Sequence, residues 1–425
     1  MTHDAAPHRT RWGLRRMTAR DAGEQHRAAS PLELFFDLVF VVAVSLSSQQ
    51  LHHMESHGHL GAGVGSYLML FFAIWWAWMN FTWFGTSFAV DDWAYRLTTI
   101  VQMAGVLVLA SGSAAAMEHQ DFTIVTLGYV IMRLAMVGQW LRAAASVPEF
   151  RRVCLRYAAG ITVVQVAWVL RLLLPPTAGL VAFFVLVAAE VLVPVWAEHR
   201  EHAPWNAHHI TERYSLFTLI LLGESILASA GAIIAALQEQ EHLTELIVVS
   251  AAGLVIAAGM WWAYFSREHT GHIRTLGSSI RYGYFHYAIF AAAGAFSAGI
   301  EIAVDDIGHE AHLSSIAAHA TLTVPVVLFV LGIWALNLRS QLNATGNTIL
   351  LLGAAAIVGA TFAPSTLGML LTAAAGTVAA VVAVETGRPQ GRPVRGRCRR
   401  RSDRRARRRS ARPAASTGRS ASDRD

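Results

Sequence analysis

Glu33 and Asp37 stand four residues apart in the stretch PLELFFDLVFVVAVSLSSQQL, residues 31–51. Four residues is about one helical turn, so the two carboxylates share a helix face. Ser48, eleven residues beyond Asp37, returns to that face. The stretch is otherwise apolar, and an ionised carboxylate in hydrocarbon costs about 2.5–3.5 kcal/mol even on lenient insertion scales. Further along, Arg133, Glu190, Glu224 and His286 also fall inside apolar runs, and Glu212 stands at the start of one. Acids, a guanidinium and an imidazole at membrane depth are the groups of an ion pair, a proton relay or a cation site.

The runs that carry these residues define the class. Of 425 residues, 54% are hydrophobic and 15% charged, with a mean hydropathy of +0.41; soluble domains are roughly 25% charged. Twelve apolar runs lie near 32–53, 64–85, 97–117, 122–142, 153–174, 177–197, 212–236, 245–265, 281–303, 315–337, 347–363 and 365–385. Each is about long enough to cross a bilayer core of roughly 30 Å. Only Pro364 and its neighbours part the last two, so a re-entrant hairpin is the alternative there. The expected fold is an all-α integral membrane protein of about twelve transmembrane helices.

Orientation follows from arginine, because the chain has no lysine. The N-terminal tail holds Arg9, Arg11, Arg15, Arg16, Arg20 and Arg27. Even-numbered loops carry Arg96, Arg151 with Arg152, Arg200, Arg267 with Arg274, and Arg339, while odd-numbered loops carry none. This pattern places both termini of a multi-pass membrane protein in the cytoplasm. Asp37 interrupts the first apolar core, so the run reads as a retained span and not a cleaved signal. Cys154 and Cys398 both fall on the cytoplasmic side, and no disulfide framework is implied.

Residues 388–425 hold 15 of the 34 arginines and three of the 28 acidic residues, so the net charge of +6 conceals a remainder of 19 arginines against 25 acids. This Arg-rich tail lacks apolar periodicity and reads as disordered. Anionic lipid headgroups are its candidate partner, at roughly 1 kcal/mol per residue near the surface. Nucleic acid is not expected, since no aromatics are interleaved.

The two halves share landmarks. ELFFDLVFVVAVSLSS and ERYSLFTLILLGESILAS align Glu33 with Glu212, and FAIWWAW and AGMWWAY align Trp75-Trp76-Ala77 with Trp261-Trp262-Ala263. Arg96 follows Trp75 by 21 residues, and Arg281 follows Trp261 by 20. Interfacial placement explains a tryptophan near a helix end, but not the matched glutamates and arginines. The expected organisation is a basic tail over 1–31, a six-helix repeat over 32–197, a cytoplasmic linker over 198–211, a second repeat over 212–385 and the Arg-rich tail over 386–425. Six spans per copy make the repeats parallel, a plan many transporters use, with the site at the repeat interface.

The blocks PLELFFDLVFVVAV, WWAWMNFTWF, FAVDDWAYRLTTIVQMAGVLVLA, YVIMRLAMVG, HHITERYSLFTLILLGESILA and YFHYAIFAAAGAFSAGIE resemble the low temperature requirement A family of bacterial membrane proteins. They run from residue 31 to about 303. The resemblance implies a polytopic inner-membrane protein linked to growth in the cold, and it supplies no substrate.

Depths follow from the helical rise. At about 1.5 Å per residue, Asp37 lies roughly 8 Å from the cytoplasmic face, Arg133 roughly 13 Å, Glu190 roughly 10 Å and His286 roughly 7 Å. They share one inner slab, and Asp37 is tolerable if it pairs with Arg133 or lines a wet cavity with Glu190. Glu224 lies deeper, roughly 18 Å in. Ala228 and Gly231 share its face and would let another helix approach closely. In DDWAYR, Asp92 and Arg96 read as a helix-capping ion pair. His53 and His57, one turn apart in HHMESHGH, are the only weak metal candidates, and HEAH at 309–312 has the wrong spacing for a zinc-protease helix.

No cofactor motif and no catalytic motif is present, so an enzyme is not expected. The leading expectation is a secondary transporter or ion-conducting protein, acting on a small ion or solute the sequence does not name. A variant is a potassium channel family with an F-S-D motif in its first helix, which Phe36-Asp37 resembles only in part. The alternatives are an intramembrane lipid-modifying enzyme using the inner-slab carboxylates as acid and base, and a non-catalytic membrane or stress-response protein.

Overall fold

The computed structural model describes residues 13–21, 23–24, 28–239, 242–267, 273 and 275–387. The Arg-rich tail with Cys398, and Arg9, Arg11, Arg27 and Arg274, lie outside them. The chain forms α1 Pro31–Ser56, α2 Leu60–Ser87, α3 Trp93–Ser111, α4 Ser113–His119, α5 Thr123–Ser146, α6 Arg151–Arg171, α7 Pro176–Glu198, α8 Ala207–Glu239, α9 Leu243–Phe265, α10 Leu276–Ile307, α11 Ser315–Leu336, α12 Ala344–Ala360 and α13 Thr366–Thr386. Polar N-caps begin many of them. Ser30, Asp92, Thr275, Ser314, Asn343 and Ser365 each accept a backbone amide of the first turn, which satisfies a donor the helix leaves open.

Among the described residues eleven segments are long and apolar enough to cross a membrane, α3 and α4 counting as one broken at Gly112. The remaining helix, α12, has 17 residues, at the lower limit of about 17 for a span. It and α13 form two antiparallel helices in close backbone contact, where a Cβ on Gly353 would meet Gly376 O at 2.5 Å. Successive spans alternate in direction between two faces. On the near face, where α1 begins, Thr18–Ala19 pairs antiparallel with Phe88–Ala89, and Asn206 Nδ2 donates to Glu24 O at 2.7 Å. On the far face, His312 N donates to Ser56 O at 2.8 Å and Gln120 Nε2 to Ser66 Oγ at 2.6 Å.

Burial is uneven. In its most apolar window α10 is 72% buried, whereas α7 is 28% buried and lines the outer surface. The core gathers around α2 and α10 and is rich in aromatics, including Trp75, Trp76, Trp78, Phe71, Tyr214 and Phe290.

Three expectations change. First, α8 begins at Ala207 and not near 212, because Asn206 Oδ1 accepts His209 N at 3.1 Å and starts the helix early; His209 and Arg213 thereby enter the bundle. Second, the tryptophan landmarks differ in environment. Trp75 and Trp76 are 2% and 0% exposed, but Trp261 and Trp262 are each 44% exposed, and Trp262 donates to Glu385. Third, Arg171, which falls inside the expected fifth span, ends α6 on the far face.

The α3–α5 crossing depends on absent side chains. A Cβ at Gly128 would lie 2.3 Å from Leu109 N and 2.6 Å from Gly105 O, both backbone atoms that cannot turn aside. On the same helix, a Cβ at Gly138 would meet nothing within 4 Å. Gly128→Ala should therefore lower stability in detergent by about 1–3 kcal/mol, the usual cost of overpacking. Gly138→Ala should leave the melting temperature unchanged or slightly raised, since alanine is the better helix former. Equal melting temperatures for the two variants would contradict the crossing.

Candidate functional site

The polar residues inside the bundle gather at three places. At the first, Ser30-Pro31-Leu32-Glu33 forms a capping box that starts α1: Glu33 N donates to Ser30 Oγ at 3.3 Å, and Glu33 Oε2 accepts Ser30 N at 2.7 Å. Glu33 Oε1 also lies 3.3 Å from His209 Nε2 and 3.5 Å from Arg213 Nη1. One turn deeper, Asp37 receives a guanidinium fork from Arg213, Nε to Oδ2 at 2.9 Å and Nη2 to Oδ1 at 2.5 Å. Trp78 Nε1 adds a third donor at 2.7 Å. Asp37 and Arg213 are fully buried. A bidentate, charge-assisted pair with a further donor is the arrangement that offsets desolvation of two ions.

The second place is centred on Glu190 of α7, which is 0% exposed. It accepts from four side chains on three other helices. Arg133 Nη2 and Trp76 Nε1 reach Oε2 at 2.8 and 2.9 Å, and Tyr129 Oη and Gln165 Nε2 reach Oε1 at 2.9 and 2.8 Å. Arg133 Nε and Nη1 are buried without a hydrogen-bond partner among the described residues.

The expected Asp37–Arg133 pair is therefore not formed. Asp37 takes Arg213, and Arg133 takes Glu190, which is fully buried among its donors. Alpha-helical geometry supplies the reason. Trp76 and Trp78 are two residues apart on α2, roughly 200° around the axis, so one helix delivers its two indoles to opposite sides. Estimates of depth place residues in a slab but cannot say which side of α2 each occupies. His286, in the same slab, is fully buried in an aromatic cage. Its Nδ1 lies 2.7 Å from Tyr282 O and its Nε2 3.1 Å from Tyr264 Oη. A carbonyl only accepts, so Nδ1 carries a proton. Tyr214 separates this histidine from Trp78.

The third place is open. A cavity of about 340 Å³ on the far side is lined by Gln49 and His52 of α1, Glu224, Ala228 and Gly231 of α8, and Glu301 and Asp305 of α10, among others. Glu224, 9% exposed, is its deepest acid, and Oε1 accepts Ser45 Oγ at 2.8 Å. Ser45 lies 11 residues before the end of α1, about 17 Å below the far face. Towards the mouth, His52 bridges two acids, Nδ1 to Glu301 Oε2 at 3.1 Å and Nε2 to Asp305 Oδ2 at 2.8 Å. Ser56 Oγ also donates to Asp305 Oδ2, at 2.6 Å. Of the small residues beside Glu224, Ala228 is buried in the core, whereas Gly231 does not admit a neighbouring helix as expected. A Cβ on Gly231 would meet nothing within 4 Å, and the space is hollow instead.

The remaining candidates lie elsewhere. Glu212 is half-buried on the near face and accepts Ala29 N at 3.3 Å, anchoring the residues before α1. Asp92 caps α3 through Tyr95 N, but its ion pair is with Arg142, and Arg96 instead pairs with Asp91 at 2.8 Å. The rings of His53 and His57 lie 4.4 Å apart, with Glu118 3.5 Å from His53 Nδ1. Among the described residues no group of three or more His, Cys, Asp or Glu is placed to hold a metal ion. Residues that the sequence reading passed over are Arg213, His209, His52, Glu301 and Asp305. A signal existed for most of them. Ser45, Gln49 and His52 recur at helical spacing on α1, and Glu301 and Asp305 are one turn apart on α10.

The family model described as "Bacterial low temperature requirement A protein" matches residues 28–384, most of the chain. An uncharacterized protein of Rhizobium meliloti (strain 1021) is 28% identical over 266 residues, covering 59% of this chain and 60% of that protein. The chain thus spans about three fifths of the length of that curated relative.

Asp92 supplies a pH test outside the spans. Burial alone would raise its pKa, but hydrogen bonds from Arg142 and from the Arg15 and Tyr95 amides, with the Arg142 charge, lower it from 3.8 to about 2. A depressed carboxyl pKa contributes stability above the unfolded value and loses it as pH falls through the folded one. Asp92→Asn should therefore cost about 1–2 kcal/mol near neutrality, and its melting temperature should converge on that of the wild type between pH 4 and about 2. A gap unchanged at acid pH would count against the clamp.

Proposed function

The chain belongs to the bacterial low temperature requirement A family, and from that premise we propose that it is a secondary transporter or ion-conducting protein of the bacterial inner membrane. Both termini lie in the cytoplasm on this reading, which the arginine alternation supports with Arg171 as its exception. The far-side cavity is then the extracytoplasmic access route, and Glu224 is the group that takes up a proton or a hydrated monovalent cation. The observation that carries the proposal is the cavity itself, a hollow of about 340 Å³ that reaches a carboxylate near mid-membrane. Three acids line it against one histidine, so it attracts cations. Ionisable groups inside a membrane that face a hollow mark ion and proton pathways.

The carboxylates that an intramembrane enzyme would use are differently placed. Asp37 and Glu190 are each taken up by three or more donors. A carboxylate so satisfied is poorly suited to exchange protons during turnover. This supports the transport reading over the enzymatic one, with Asp37–Arg213 and Glu190–Arg133 as fixed struts.

The test is flux into proteoliposomes. The purified protein should dissipate an imposed pH gradient or a monovalent-cation gradient faster than empty vesicles. Glu224→Gln should slow that flux at least about tenfold, a loss of roughly 1.4 kcal/mol in barrier terms, with the melting temperature kept. Flux equal to that of empty vesicles under every gradient, or full flux in Glu224→Gln, would remove the proposal.

A further inference from the structure

Arg171 ends α6 on the far face, and three hollows meet at its side chain. Nε donates to Gly179 O at 2.8 Å, which fixes the side chain against the first turn of α7. The guanidinium carbon lies 5.3 Å from the ring centre of Phe183, 5.4 Å from Phe122 and 5.8 Å from Trp168. Three aromatic faces thus orient the cation without neutralising it. Among the described residues no carboxylate forms an ion pair with Arg171.

The hollows on either side have unlike chemistry. A pocket of about 480 Å³ is lined by His119, Gln120, Asp121, Thr123 and Thr177. Its one acid, Asp121, directs Oδ1 to Thr123 N at 2.9 Å. The first turns of α5 and α7 both border the pocket, and helix starts carry partial positive charge. On the other side, a groove of about 590 Å³ between α6 and α7 is walled by Ala167, Leu170, Ala178, Val181, Ala182 and Val185. Leu174 borders both hollows with Arg171. The groove faces outward, where Val181 and Val185 are more than 60% exposed.

We propose that this place binds a diacyl phospholipid of the far leaflet, with the phosphate on Arg171 and one acyl chain in the α6–α7 groove. Charge complementarity selects the headgroup, because a guanidinium without an acid partner matches a phosphate bidentately. The apolar wall selects the chain, and the position at a helix end sets the depth at which a phosphate sits. The proposal does not depend on the transport reading, since Arg171 and Glu224 line different hollows.

The test is native mass spectrometry of the full chain in detergent, titrated with phosphatidylglycerol. Parallel titrations use a diacylglycerol of the same chains, and a competition uses millimolar sodium phosphate. Phosphatidylglycerol should be retained and diacylglycerol should not, and inorganic phosphate should not displace the lipid. Arg171→Gln should weaken retention about tenfold, the scale of one charge-assisted contact. Ala182→Phe, which fills the groove, should weaken it similarly with its melting temperature kept. Equal retention by the wild type and both variants would overturn the proposal. So would tight diacylglycerol binding, which would show an apolar groove alone, or full displacement by phosphate, which would show a free-anion site. If Arg171→Gln does not fold, Ala182→Phe and the diacylglycerol comparison still decide.

Discussion

Two indole N–H groups on one helix hold the membrane interior of this protein together. Trp76 donates to Glu190 and Trp78 to Asp37, and each carboxylate also has an arginine of its own. A buried charge is costly unless it is paired and its remaining lone pairs are filled. Here the arginine supplies the countercharge, and the indole completes the shell without adding charge. Because the two indoles leave α2 on opposite sides, the bundle carries two separate ionic struts. One ties α1 to α8, and the other ties α5 to α7, with Gln165 of α6 closing it.

Sealing these charges gives the open one its meaning. The sequence presents Asp37, Glu190 and Glu224 alike, as acids in apolar runs. The surrounding donors separate them. Glu224 has one side-chain hydroxyl donor and a hollow beside it, whereas Glu190 has four donors and is fully buried. Fixed pairs towards the near face and a hollow with a reachable acid towards the far face are the division on which the proposed transport reading rests. The same contrast recurs on the outer surface, where Arg171 is held by aromatics and, among the described residues, forms no ion pair.

Much of the architecture was legible in the chain. Apolar runs of span length located nearly every helix, because hydrocarbon tolerates few other patterns. The polar candidates were legible as a set, since charge in an apolar run is conspicuous. Their partners were not. Arg213 was hidden by a helix start placed five residues late, which left it near the expected surface. The role of Trp76 and Trp78 was hidden because tryptophan pairs also mark membrane interfaces, and the matching pair Trp261-Trp262 does lie at the surface. Glu33 could have been read from Ser30-Pro31-Leu32-Glu33, a capping-box pattern with proline at the first helical position. The hollow beside Glu224 could not be read at all, because small residues permit either a close helix or an empty space.

The central claim is that Asp37 belongs to Arg213 and not to Arg133. A double-mutant cycle on unfolding in detergent measures this directly. Asp37→Asn and Arg213→Gln should each cost about 3–5 kcal/mol, and the double change should cost less than their sum because neither charge is left unpaired. The cycle of Asp37→Asn with Arg133→Gln should be additive. Additivity in the first cycle with coupling in the second would contradict the account.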